Sequence, residues 1–218
     1  MLQVNYNYCI IKNGATRSLA NTFNLMLMLN LVIFGPPGSG KGTQATHIKE
    51  KYGLLHLSTG EMLRHEIALK TPLGLEVESL VVSGQLVPDE LVTEVLKKAL
   101  AEKMSQGNGF IFDGFPRNGE QAQILEDALK SLNLDITVAI NLTASDSELI
   151  KRILLRGETS GRADDNEIVI KERLEIYRKN VSDLISFYQK LEKLYEVDGE
   201  GTPQEVFERI TQLIQKHI

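Results

Sequence analysis

Gly35-Pro36-Pro37-Gly38-Ser39-Gly40-Lys41-Gly42-Thr43 packs four glycines, a lysine and a threonine into nine residues. It follows the apolar run Leu29-Asn30-Leu31-Val32-Ile33-Phe34, which reads as a buried strand. It precedes Gln44 to Tyr52, which reads as a helix. Strand, glycine loop and helix form the context that a phosphate-binding loop requires. The glycines leave no Cβ in the way, so backbone N–H groups turn inward around an anion. The helix N-terminus adds unpaired donors and partial positive charge. Lys41 adds a full charge within reach of β- and γ-phosphates. One feature departs from the general pattern: Gly42 stands directly after the lysine, where Ser or Thr is usual, and Thr43 comes one residue later.

Composition sets the class around this loop. The 218 residues suit one α/β domain with small excursions, and 42% hydrophobic with 24% charged residues is ordinary for a globular chain. A formal net charge of −5 offers no basic field, so nucleic acid is not the expected partner. No apolar run approaches 18 residues, so no membrane span is expected. Cys9 is the single cysteine, which excludes an intrachain disulfide or a cysteine-based zinc site and fits a reducing, cytoplasmic location. The histidines His47, His56, His65 and His217 show no metal-ligand spacing and read as surface or packing residues.

Residues 1–27 differ from the rest, with Lys12 and Arg17 and no acidic residue. They read as an N-terminal extension. One reading is a start assigned too early, since Met26 and Met28 stand just before the first strand. The others are an acid-poor leader and a real local extension.

From there strands alternate with helices, which predicts a five-stranded parallel sheet covered on both faces. Strands are expected over 29–34, 54–57, 110–112, 136–142 and 194–197. Helices are expected over 40–52, from Ser58, and over 73–82, 89–104, 118–131, 145–155, 167–193 and 203–216. Ser58 and Glu61 have the spacing of a capping box. In the 89–104 helix, Leu91, Val95, Leu96 and Ala99 form the predicted apolar stripe. The polar stretch from Arg156 to Asn166 reads as a loop whose arginines close over a polyphosphate and exclude water. Asp113 and Arg117 follow the Phe110-Ile111-Phe112 strand. The carboxyl ends of strands in such sheets gather ligand groups, so both are expected beside the phosphate loop.

Taken together, several motifs resemble the adenylate kinases from about Met28 to the end, making 28–218 one domain. They are Gly35 to Thr43, Ser58-Thr59-Gly60-Glu61-Met62-Leu63-Arg64, Gly84-Gln85-Leu86-Val87-Pro88, Asp113-Gly114-Phe115-Pro116-Arg117 with Gln121, and Arg156 through Asp165. The resemblance implies a P-loop fold with a small helical monophosphate-binding segment over 58–87 and a mobile lid over 156–167. Only five residues separate Arg156 from Arg162, so the lid is of the short type and no structural zinc is expected.

The implied activity is Mg²⁺-dependent phosphoryl transfer from ATP to AMP, giving two ADP, by a monomer. Gly38, Ser39, Gly40, Lys41, Gly42, Thr43 and Arg156 are then the ATP residues. Thr59, Arg64, Leu86, Val87, Gly114, Arg117, Gln121, Arg162 and Arg173 are the AMP residues. Lys41, Arg117, Arg156, Arg162 and Arg173 act on the transferring group, and Asp113, through water, and Thr43 hold Mg²⁺. Arg152 is expected on the surface. Val181-Ser182-Asp183 stands where the family commonly has a proline, so the helix there is expected to run straighter. Two other functions are consistent with the loop. One is a pyrimidine monophosphate kinase, a group that tends to have Ala where this chain has Thr59. The other is a nucleotide-dependent binding protein, which has no need of so many arginines.

Overall fold

Every residue of β1, Leu29–Phe34, is buried, as an apolar run in the middle of a two-sided sheet requires. The structure, a computed structural model, describes residues 28–103, 106–160 and 167–218. The predicted extension at 1–27 and Arg162 lie outside the described residues. The other strands are β2 (Leu55–Ser58), β3 (Gly109–Asp113), β4 (Val138–Thr143) and β5 (Leu194–Asp198). They pair in the order β2-β3-β1-β4-β5, all parallel.

Helices cover both faces. They are α1 (Lys41–Tyr52), α2 (Thr59–Ala68), α3 (Pro72–Ser83), α4 (Asp89–Lys103), α5 (Gly119–Ser131), α6 (Asp146–Ser160), α7 (Glu167–Lys190) and α8 (Pro203–Ile214). Strand side chains alternate between the faces. Leu31, Ile33, Ile111 and Ile140 pack on Ala45 and Ile48 of α1 and on Val206 and Ile210 of α8. Val32, Phe34, Phe110 and Phe112 pack on Leu96 of α4, Leu125 of α5 and Tyr188 of α7. Burying each such large side chain is worth about 1.5–3 kcal/mol. Asn30 is the polar exception in β1, and its amide is satisfied on both sides. Its Nδ2 donates to Asp135 O at 2.9 Å, and its Oδ1 accepts from Phe110 N at 3.1 Å.

Three local expectations need correction. The buried seam of α4 is Val92, Leu96 and Leu100, with Leu91 and Ala99 only partly buried beside it. The stripe is turned because α4 packs on both the sheet and α2, not on one surface. The Ser58 hydroxyl accepts from Glu61 N at 3.4 Å, but the return bond from Glu61 is not made. The complete capping box is at α8, between Thr202 and Glu205. Finally, α6 does not stop at Leu155. It carries through Arg156 to Ser160, so the first part of the expected lid loop is helical. Gly157 costs the helix about 1 kcal/mol relative to alanine, and the Leu149–Ile153 seam packing on Ile170 and Leu174 of α7 offsets it. At 24 residues, α7 runs unbroken through Val181-Ser182-Asp183.

Candidate active site

Strand register assembles the site. In the sheet, Asp113 at the end of β3 pairs with Ile33 of β1 on one side and Ser58 of β2 on the other. Three segments therefore leave the same edge side by side: the phosphate loop after β1, Thr59 and α2 after β2, and Gly114 to Arg117 after β3.

Gly40 caps α1 with φ 93°, a left-handed conformation that favours glycine, and supplies no capping side chain. The first N–H groups of α1 are thus left for an anion. Lys41 Nζ is folded back into the loop, donating to Gly35 O at 2.8 Å, Pro36 O at 2.9 Å and Ser39 Oγ at 3.4 Å. An ammonium has three donors, and the loop uses all of them. Burial lowers the Lys41 pKa to about 8. Arg173, Arg117 and Arg156 push the same way, and Asp113 opposes them.

The Asp113 carboxylate is buried, and His56 Nε2 lies 3.2 Å from its Oδ2. A Cβ added at Gly42 would stand 3.9 Å from that same oxygen. A Cβ there would make ordinary contact with that oxygen, so the loop backbone and the carboxylate stand close together, and a hard oxygen donor beside a phosphate loop suits the chemistry of a divalent cation. Thr43 is exposed one residue further along α1. Among the described residues, no group of three or more His, Cys, Asp or Glu side chains is placed to hold a metal.

Beside this lies a cleft of about 550 Å³ between α2, α3 and the start of α5. Thr59, Arg64, Leu86 and Val87 line one side, and Gly114, Arg117, Gln121 and Arg173 the other. Thr59 is 1% exposed, and its hydroxyl has no hydrogen-bond partner among the described residues. Arg117 Nε donates to Gly114 O at 2.7 Å. Desolvation in the cleft, then Arg173, lower the Arg117 pKa to about 10, Asp113 opposing. Arg64 lowers it too and Asp89 raises it. Although the residue as a whole is exposed, its guanidinium belongs to this cationic group and stays charged at neutral pH.

A second cleft, of about 680 Å³, reaches from Gly35, Pro37 and Lys41 to Tyr177 and Asn180 of α7. The two clefts share Gly84, Leu86, Gly114, Arg117 and Arg173. Tyr177 Oη donates to Asn141 Oδ1 at 3.3 Å, and Asn141 Nδ2 to Glu196 Oε1 at 3.2 Å. Burial, with the Glu196 charge, pushes the Tyr177 phenol well above its usual range.

The surroundings of two residues go beyond what the sequence indicates. Arg152 is not a simple surface group. Its side chain is 24% exposed, pairs with Glu148 at 2.7 Å, and donates to Gly199 O at 2.9 Å and Gly201 O at 3.3 Å. It fastens the loop after β5 next to the phosphate loop, where its Nη1 lies 3.9 Å from the Cβ position of Gly40. The available signal was its spacing of four from Arg156, which puts both on one face of α6. His56 is a packing residue, as expected, with an added contact to Asp113 that no spacing rule indicates.

Known proteins can be set beside this geometry. The family model described as adenylate kinase matches residues 33–193. The adenylate kinase of Bacteroides thetaiotaomicron is 44% identical over 189 residues, 87% of this chain and 100% of that protein. That of Azobacteroides pseudotrichonymphae is 46% identical over 187 residues, 86% of this chain and 97% of its own. That of Flavobacterium johnsoniae is 44% identical over 188 residues, 86% and 98% respectively. A family match across most of the chain, on a parallel sheet whose strand ends assemble a phosphate loop and two joined clefts, shows that this chain belongs to the adenylate kinase family.

Proposed function

We infer that the chain catalyses reversible transfer of the γ-phosphoryl group of ATP to AMP, giving two ADP, with the phosphate loop holding the donor and the Thr59–Gln121 cleft the acceptor. The observation that carries this is the junction of the two clefts at Gly114, Arg117 and Arg173. One cleft reaches Lys41, and the other reaches the Thr59 hydroxyl, without a partner among the described residues, and the buried Gln121 amide, both suited to a base.

An AMP phosphate oxygen is already ionised, so it is nucleophilic without a general base. Catalysis then rests on alignment, charge neutralisation and exclusion of water. Lys41 and the α1 amides bind the donor phosphates, with Gly38, Ser39, Gly40 and Thr43 shaping the loop. Arg64 and Arg117 hold the acceptor phosphate, while Arg156, Arg162 and Arg173 neutralise the group in transit. Thr59, Leu86, Val87, Gly114 and Gln121 hold the acceptor nucleoside. Bound Mg²⁺ would neutralise donor phosphate charge, and Asp113, through water, and Thr43 are the residues assigned to hold it. The segments at 58–87 and 156–167 close over the nucleotides. A monomer is the matching proposal, because one chain lines both clefts, and light scattering tests it. A single cysteine supports a cytoplasmic location, which fractionation tests. No helix among the described residues is long and apolar enough to cross a membrane.

Lys41→Met should lower kcat by about 10³-fold or more, the scale for loss of a charged group aimed at developing charge, with the circular dichroism spectrum unchanged. A variant that keeps most of its turnover in a coupled ADP assay would overturn the assignment. The same assay with AMP, UMP, CMP and GMP should favour AMP, and a preference for UMP or CMP would overturn that choice.

A further inference from the structure

Gln121 is 2% exposed and lines the acceptor cleft from the first turn of α5. Its Oε1 accepts from Arg117 N at 2.7 Å, and its Nε2 donates to Asp89 Oδ1 at 2.6 Å. A carboxylate only accepts and a backbone N–H only donates. The amide therefore has one permitted orientation, set by two partners from different segments. Turning it over would point Nε2–H at the Arg117 N–H and Oε1 at the Asp89 carboxylate, leaving buried groups unpaired or opposed.

We propose that Asp89 is a positioning residue that locks the Gln121 amide and thereby makes the acceptor site select a 6-amino purine over a 6-oxo purine. The inference rests on the reading of this cleft as the AMP site. Once both partners are engaged, Gln121 retains one Nε2 hydrogen and one Oε1 lone pair. Adenine presents an acceptor at N1 beside a donor at its 6-amino group and matches that pair. Hypoxanthine presents a donor at N1 beside an acceptor at O6, the reverse. Reading it requires the forbidden turn of the amide. A site built around fixed hydrogen-bonding groups rejects the wrong partner because those groups are left unpaired. Asp89 stands at the start of α4, after Pro88, and its charge also faces the Arg117 guanidinium. The Arg117 N–H is fixed by the backbone, so Asp89 is the replaceable half of the lock.

The test compares AMP with inosine monophosphate, which differs at this edge alone. Asp89→Asn places a group that either donates or accepts, so turning Gln121 then loses only the Arg117 N–H bond and becomes less costly. The ratio of kcat/KM for AMP to that for inosine monophosphate should fall by about tenfold, equal to 1.4 kcal/mol. The fall should come mainly through KM. A loss by the same factor for both substrates would mean that Asp89 only supports the helix, and would overturn the inference. If Asp89→Asn does not fold, Asp89→Ser offers a hydroxyl with the same freedom and the same expected ratio. Gln121→Ala separates the two levels. It should raise the KM for AMP. An unchanged KM would overturn the acceptor-cleft reading itself. A raised KM with an unchanged ratio in Asp89→Asn would overturn the lock alone.

Discussion

Lys41 is a cation held where burial disfavours charge, and its pKa of about 8 against an ordinary 10.5 expresses that. In its proposed role, Lys41 binds donor phosphates as the ammonium and not as the amine. Raising the pH through 8 should therefore empty the free enzyme of its charged form and lower kcat/KM for ATP. Bound phosphates are anionic and draw the lysine pKa back up, so kcat at saturating ATP should hold to higher pH. A kcat/KM profile that stays flat to pH 9.5 would overturn this. Folding responds in the opposite sense. Between pH 8 and 10.5 the unfolded chain binds more protons at this lysine, so its contribution to stability rises with pH across that window. The loss at alkaline pH is thus one of binding, not of fold. Lys41 was legible in the sequence because its loop partners lie within six residues of it. His56, Asp89 and Arg152 were not, because each meets its partner across strands or helices 57, 32 and 47 residues away. The register of the sheet brings the first pair together, and the packing of helices and loops brings the other two.

The elements show the same division. The strands fell within a residue or two of their predicted positions, since apolar runs bounded by turns define a buried parallel strand locally. The face that α4 buries and the end of α6 depend on what packs against them, which local periodicity does not contain. Gly84 marks where such packing controls the site. It ends α3 with φ 77°, and its N–H reaches Leu80 O and Val81 O. A Cβ there would lie 2.7 Å from Arg173 Cγ and 2.7 Å from Val169 Cγ1 of α7. Both clefts include this residue. Gly84→Ala should cost about 1–2 kcal/mol for the left-handed backbone alone, and should push the end of α3 away from α7 and raise the KM for AMP. Thermal unfolding and steady-state kinetics measure the two effects. An alanine variant with unchanged stability and unchanged KM would show that α3 and α7 do not need this close approach.

Across the whole molecule, a chain of net charge −5 gathers Lys41, Arg64, Arg117, Arg156 and Arg173 around two joined clefts. Besides burial, Arg173 depresses the pKa of both Lys41 and Arg117, so these cations disfavour one another's charge. Polyphosphate reverses the sign of that effect, so closure should follow substrate charge. A bisubstrate dinucleotide, two adenosines joined by a polyphosphate, should slow amide exchange in peptides from 58–87 and from the end of α6. AMP alone should protect the first region far more than the second, because on the proposed assignment its phosphate reaches Arg64 and Arg117 and not the loop. Raising ionic strength should weaken dinucleotide affinity, since part of the attraction is screened. Equal exchange with and without the dinucleotide in both regions would mean that the clefts are preformed, and that the arginines act without movement of the segments carrying them.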